Sequence, residues 1–209
     1  KWLYAFHLLG ASNHGMSSLQ LSRMLKVSTR TAWHLSHRIR EAMKRDDQFF
    51  AGDIVETDET YIGGRRKHVG KGYRKNKIAV QTIVGRSSGS KRGRSLKGIR
   101  RGRFVGQAQT IALKPSESVD GRTVGAKLRK HTDPASTILM TDESGIYEQT
   151  GKAFKEHHTV NHKKEEYVRV ESDGTVVSTN ATEGYNANLK RQITGTHHHT
   201  SKKHLPRYL

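Results

Sequence analysis

Three carboxylates stand at positions where they could do chemistry in an otherwise basic chain: Asp58, Asp142 and Glu183. Asp58 lies in IVETDETYI among apolar and β-branched neighbours, so the segment reads as a strand with Asp58 half-buried, where an unpaired charge is costly. Asp142 closes TILMTD, and a parallel neighbouring strand would bring its carboxylate beside that of Asp58. Glu183 stands near the start of ATEGYNANLKRQI, with Lys190 seven residues on; seven residues are two helical turns, so the two share one face. Convergent carboxylates in a positive surround suit phosphoryl transfer, in which two cations about 3.5–4 Å apart are held by anionic ligands and clamp a phosphate. Mg²⁺ fits because it accepts one or two carboxylates and fills its shell with water and substrate oxygens. Each acid also has a plainer reading. Asp142 can be the N-cap of a helix that begins at ESGIY, Glu183 can be the third-position partner in a capping box led by Asn180, and Asp58 can pair with a nearby Arg or Lys.

The elements that must position these acids follow from the apolar pattern. From residue 2 to about 45, apolar positions recur at helical spacing and predict three helices. SSLQLSRML, with Ser17 and Gln20 placed for a capping box, leads through Lys26-Val27-Ser28 to TRTAWHLSHRIREAM, where Ser28 can cap the next helix. Two helices around so short a break form the helix-turn-helix pattern, which would present Thr29, Arg30, Thr31 and His34 to a major groove. After residue 50 the pattern becomes strand-like: IVETDETYIGG, KIAVQTIVGR and RFVGQAQTIAL, then a helix over about Arg122–Lys130, the strand STILMTD and later helices. That order predicts a mixed α/β domain over 49–209 behind an all-α segment over 1–48.

Against 38 Lys and Arg stand 19 Asp and Glu, a formal net charge of +19 with a pI near 10.3, which points to a polyanionic partner, most simply double-stranded DNA. Much of the surplus sits in two basic loops, Arg65–Lys77 and Arg86–Arg103, where Arg65, Arg66, Lys67, Lys91, Arg92 and Arg94 are candidate phosphate contacts. No apolar run is long enough to span a membrane. The absence of cysteine excludes a disulfide framework, a thiol nucleophile and a cysteine zinc site, and fits a reducing cytoplasmic compartment. Lys1 and the apolar Trp2–Leu9 could pass for a short signal peptide, but His7 interrupts the stretch and the helical reading suits it better. Lacking an initiating Met, the chain reads as part of a longer protein. His197, His198, His199 and His204 leave metal binding, phosphate contact and a solvated loop all open.

VETDETYIGG, TDESGIY, VNHKKEEYV and NATEGYNANLKRQITGTHHHTSKKHLPRYL together resemble the DDE transposases of bacterial insertion sequences, in the ISXO-type branch with an RNase H-like catalytic domain. The stretch KWLYAFHLLGASNHGMSSLQLSRMLKVSTRTAWHLSHRIREAM is similar to the helix-turn-helix that precedes that domain in the family, so the resemblance covers essentially the whole chain. The acids are spaced by 84 and 41 residues. The resemblance implies a Mg²⁺- or Mn²⁺-dependent strand transferase acting on the terminal repeats of its own element and on target DNA, as a homo-oligomer in the nucleoid of a bacterial cytoplasm. It implies Asp58 and Asp142 as metal ligands and Lys190 near the DNA backbone. The third ligand is Glu183 or Asn180, since members of the family often carry Asn there. A non-catalytic DNA-binding remnant and a metal nuclease that cuts without joining are the alternatives.

Overall fold

Serine hydroxyls open two of the three N-terminal helices, α1 (Trp2–Ala11), α2 (Ser18–Leu25) and α3 (Thr29–Met43). Ser17 Oγ accepts the Gln20 amide at 3.2 Å and Ser28 Oγ the Thr31 amide at 3.1 Å. Each serine thus satisfies an amide that has no partner within its own first turn. Between the two helices Lys26 adopts the left-handed conformation, φ 52° and ψ 56°, which takes the chain out of α2 so that α3 begins three residues later. Ala5, Leu9, Met16, Leu21, Leu25, Ala32, Leu35 and Ile39 form the core of this helix-turn-helix, leaving Thr29, Arg30, Thr31 and His34 exposed.

The structure is a computed structural model that describes all residues except 13, 45–48, 51–53, 64–76, 87–106, 115, 162–165 and 173. The chain divides into two units, one of Lys1–Asp46, Ile62–Ile78 and Asn186–Leu209, the other of Asp47–Tyr61 and Ala79–Tyr185. In the first, the C-terminal residues pack on α3. Trp33, His37, His204 and Tyr208 stack edge to face or tilted, with ring centres 4.1–5.4 Å apart, and the Arg40 guanidinium lies 4.4 Å from the centre of the Tyr208 ring. Arg207 can only donate, so its approach to His37 Nδ1 at 3.3 Å makes that nitrogen the acceptor; Nε2 then donates to the Tyr208 hydroxyl at 3.1 Å. Burial, reinforced by Arg40, lowers the His37 pKa to about 4, consistent with the neutral ring this arrangement needs. The histidine-rich segment is therefore only partly a solvated loop. His197 is half-buried against Tyr208, whereas His198 and His199 face solvent.

The second unit is built on a five-stranded sheet in the order β3-β2-β1-β4-β5. Its strands are β1 (Ile54–Ile62), β2 (Ile78–Arg86), β3 (Ala108–Ala112), β4 (Ile138–Asp142) and β5 (Glu156–Val160). β2 and β3 are antiparallel, while β4 lies parallel to both β1 and β5. One face carries Val55, Leu139, Ile83, Phe50 and Phe154 against Leu128 of α4 (Gly121–His131). A 3₁₀ turn at Gly145–Tyr147 and the single turn of α5 (Glu148–Gly151) flank α4. The other face carries Ile54, Ile138, Met140 and Val160 against Val177 of the small hairpin β6 (Arg169–Val170) and β7 (Val176–Val177). α6 (Asn180–Arg191) follows that hairpin. This is the RNase H-like mixed sheet flanked by helices, preceded by an all-α segment. β5 and the β6/β7 hairpin are additions to the expected order. The sequence of β5, EHHTV, contains one buried apolar residue, so it lacks the alternation that marks a half-buried strand.

Lys26 generates a direct test. A side-chain-bearing residue in the left-handed region costs about 1–2 kcal/mol, a cost that glycine avoids. Lys26→Gly should raise the stability of the helix-turn-helix by about 1 kcal/mol in urea unfolding.

Candidate active site

Side chains alternate along β1, so Ile54, Glu56 and Asp58 share one face while Val55, Thr57 and Glu59 share the other. The parallel ladder pairs Ile54 with Ile138, Val55 with Leu139 and Glu56 with Met140. Each pair is 84 residues apart, and so are the two aspartates. Carried two residues beyond the last pair, that register sets Asp58, in the middle of β1, against Asp142, the last residue of β4, both half-buried. Asp142 Oδ1 also accepts the Ser144 amide at 3.1 Å, which turns the chain into the 3₁₀ segment; the N-cap of that segment is Ser144, so Asp142 shapes the turn and is not the expected helix cap.

On the opposite face Glu59 accepts a short hydrogen bond from the hydroxyl of Tyr147, a side chain with no exposed surface. Burial raises the Glu59 pKa to about 7; the Tyr147 bond opposes the rise, and the negative charges of Asp58 and Asp142 add to it. Both aspartates are therefore close enough to make a third negative charge unfavourable.

Glu56 is fully buried and forms an ion pair with Arg86, itself 3% exposed. Arg86 also donates to the carbonyls of Val176 and Ser178, at 2.6 and 2.7 Å, and to the Ser178 hydroxyl at 2.7 Å. The second Glu56 oxygen accepts the amides of Ala181 and Thr182 at 2.9 and 3.0 Å and the Thr182 hydroxyl at 3.2 Å. A strand carboxylate thus caps α6, where its charge also meets the positive end of the helix dipole.

This cap corrects two expectations. Asn180 does not lead a capping box: it is the first helical residue, and the amides after it are taken by Glu56, whose full charge is the stronger acceptor. Arg86 is not the start of a solvated basic loop, because it ends β2 in the interior. The physical expectation that a buried strand acid needs a cationic partner holds for Glu56, two residues before Asp58. Glu56, Arg86, Glu59 and Tyr147 were not singled out from sequence. The available signal was three acids within four residues of one strand, which cannot all be buried without partners.

Glu183 lies in the first turn of α6, exposed, with Oε1 accepting the Thr179 hydroxyl at 3.1 Å. Asn180 and Lys190 are exposed on the same helix. Among the described residues no group of three or more His, Cys, Asp or Glu stands together ready to hold a metal ion. The structure therefore brings Asp58 and Asp142 together without gathering Glu183 into the same cluster. Two carboxylates on adjacent parallel strands still suit Mg²⁺ or Mn²⁺, which need only one or two carboxylates from the protein. Arg65, Arg66, Lys67, Lys91, Arg92 and Arg94 lie outside the described residues.

Compared with known families, residues 50–209 match the ISXO2-like transposase domain. Comparison with curated proteins finds no match.

Two predictions follow from the acids of β1. Glu56→Gln leaves the Arg86 charge buried without its counter-ion and should cost about 3–5 kcal/mol in urea unfolding. For Glu59 the charged form is disfavoured in the folded state, so the metal-free protein should lose stability as pH rises from about 4.5 to about 7. Glu59→Gln removes that loss. Its melting temperature should match that of the parent below pH 4.5 and exceed it by a few degrees above pH 7.

Proposed function

Because the chain belongs to the ISXO2-like transposase family, we propose that it cuts DNA at the ends of a mobile element and joins the freed strand to target DNA. The observation that carries this reading is the parallel β1–β4 register inside the matched region, which, carried two residues on, sets Asp58 against Asp142. These two carboxylates would hold Mg²⁺ or Mn²⁺, with Glu183 or Asn180 as the further ligand. When bound, the metal supplies Lewis-acid stabilisation of the charge that builds up at the attacked phosphorus.

The chain's own groups prepare that site. Glu56 fixes the start of α6 at the sheet, and the Thr179 hydroxyl orients the Glu183 carboxylate. Tyr147 holds Glu59 on the opposite face, away from the acids that would bind metal. Lys190 provides a point charge for the DNA backbone. In the first reaction water displaces the strand at the element end and leaves a free 3′-hydroxyl. In the second, that hydroxyl displaces a phosphodiester oxygen of the target, so bonds broken equal bonds formed and no covalent enzyme intermediate is needed. Residues 1–48 are the DNA-recognition segment in this reading, with Thr29, Arg30, Thr31 and His34 at the major groove and the two basic loops on phosphates. Residues 49–209 are the catalytic domain. Two ends must be processed together, which calls for a homo-oligomer on DNA.

The test is a cleavage and joining assay on a labelled duplex beside calorimetric titration with Mg²⁺. Asp58→Asn and Asp142→Asn should each lower strand joining by at least a thousandfold and remove Mg²⁺ binding, with DNA affinity kept. Glu183→Gln against Asn180→Ala identifies the third ligand by which of them weakens the metal isotherm. Unchanged metal binding in both aspartate variants overturns the reading in favour of a DNA-binding protein, and cleavage without joined products indicates a nuclease.

A further inference from the structure

The C-terminal residues of the first unit carry charge beside the recognition helix. Residues 1–44 hold seven Lys and Arg and residues 186–209 hold five; Glu41 is the one acid in either stretch. That acid is engaged by Arg207, with Nε to Oε2 at 3.2 Å. The unit's described surface is therefore almost purely cationic.

The placement of the C-terminal segment is specific. His204 stacks on Trp33 at 5.3 Å and on His37 at 5.2 Å, while Tyr208 and Arg207 engage His37, Arg40 and Glu41. On a helical wheel Trp33, His37, Arg40 and Glu41 form one flank of α3, and Arg30 and His34 lie along its edge. The Trp33 ring touches both His204 and His34, the latter at 4.9 Å. Lys202 and Lys203, both exposed, immediately precede His204. The residue that follows them, His204, is thus seated on the Trp33 ring that also touches His34.

We propose that the segment Thr200–Tyr208 is a second DNA contact of the helix-turn-helix, in which Lys202 and Lys203 bind phosphates of the backbone flanking the groove entered by α3. This rests on the DNA-binding reading above and extends it to a part of the chain 150 residues and more from the recognition helix. Lysine suits the role because a point charge on a flexible stem reaches phosphates without reading bases.

The test is fluorescence anisotropy of the full chain on a labelled mixed-sequence duplex of about thirty base pairs across a salt series, since each neutralised phosphate adds about 0.9 to the slope of log affinity against log salt. Lys202→Ala/Lys203→Ala should weaken binding at least fivefold near physiological salt and lower the slope by about 2, with the melting temperature unchanged. The control is Lys152→Ala/Lys155→Ala, which removes the same charge from exposed positions of the other unit. It should leave the slope as in the parent. A parent-like slope in Lys202→Ala/Lys203→Ala, or an equal loss in the control, overturns the proposal while leaving DNA binding intact. Failure of the unsubstituted chain to bind the duplex at low salt overturns the DNA-binding reading and this proposal with it.

Discussion

The buried ion pair of Glu56 and Arg86 is the constraint on which the rest of the sheet unit depends. Removing two charges from water is expensive, and their attraction offsets the cost only when the remaining polar atoms are also satisfied. Here they are: each Glu56 oxygen has its own donors, and Arg86 spends its remaining donors on the backbone of Val176 and Ser178 and the Ser178 hydroxyl. The pair joins β1, β2, the β7 strand with its exit, and the start of α6. None of these partners can shift without exposing an uncompensated charge, so the first turn of α6 is held to Glu56, the residue one pleat, about 7 Å, from Asp58 along the same strand face.

The acids of β1 show how one strand gives chemically similar groups different fates. Glu56 is paired with Arg86, Asp58 is set by the strand register against Asp142, and Glu59 is pushed toward neutrality on the other face. Pleating puts Glu59 on the face opposite Glu56 and Asp58, and the neighbours of each acid set its surroundings.

Much of this was legible in the sequence. The caps at Ser17 and Ser28, the bounds of α3, the first strands and the parallel approach of Asp142 to Asp58 follow from side-chain chemistry that acts over a few residues or from strand pattern. Glu56 was not singled out because its partners lie 30 and about 125 residues away, and nothing local marks them. β5 escaped because its residues are polar, and the seating of Tyr208 on α3 because an aromatic near a chain end carries no period. Sequence shows that a buried charge needs a partner; only the fold shows which one it has.

The contact of His37 with Tyr208 spans 171 residues, and its consequence lies in the order of synthesis. The chain leaves the ribosome N-terminus first, at about 5–20 residues per second, and domains fold as units when their residues are out. Helices α1 to α3 emerge early, but the aromatic and arginine packing on the C-terminal flank of α3 waits for residues 204–208, after every strand of the sheet has been made. For roughly ten seconds or more of translation that flank of α3, with Trp33 and His37, has no cover. Helix α3 is thus among the first segments to be made and among the last to be finished, and a nascent chain stalled within the sheet carries it incomplete.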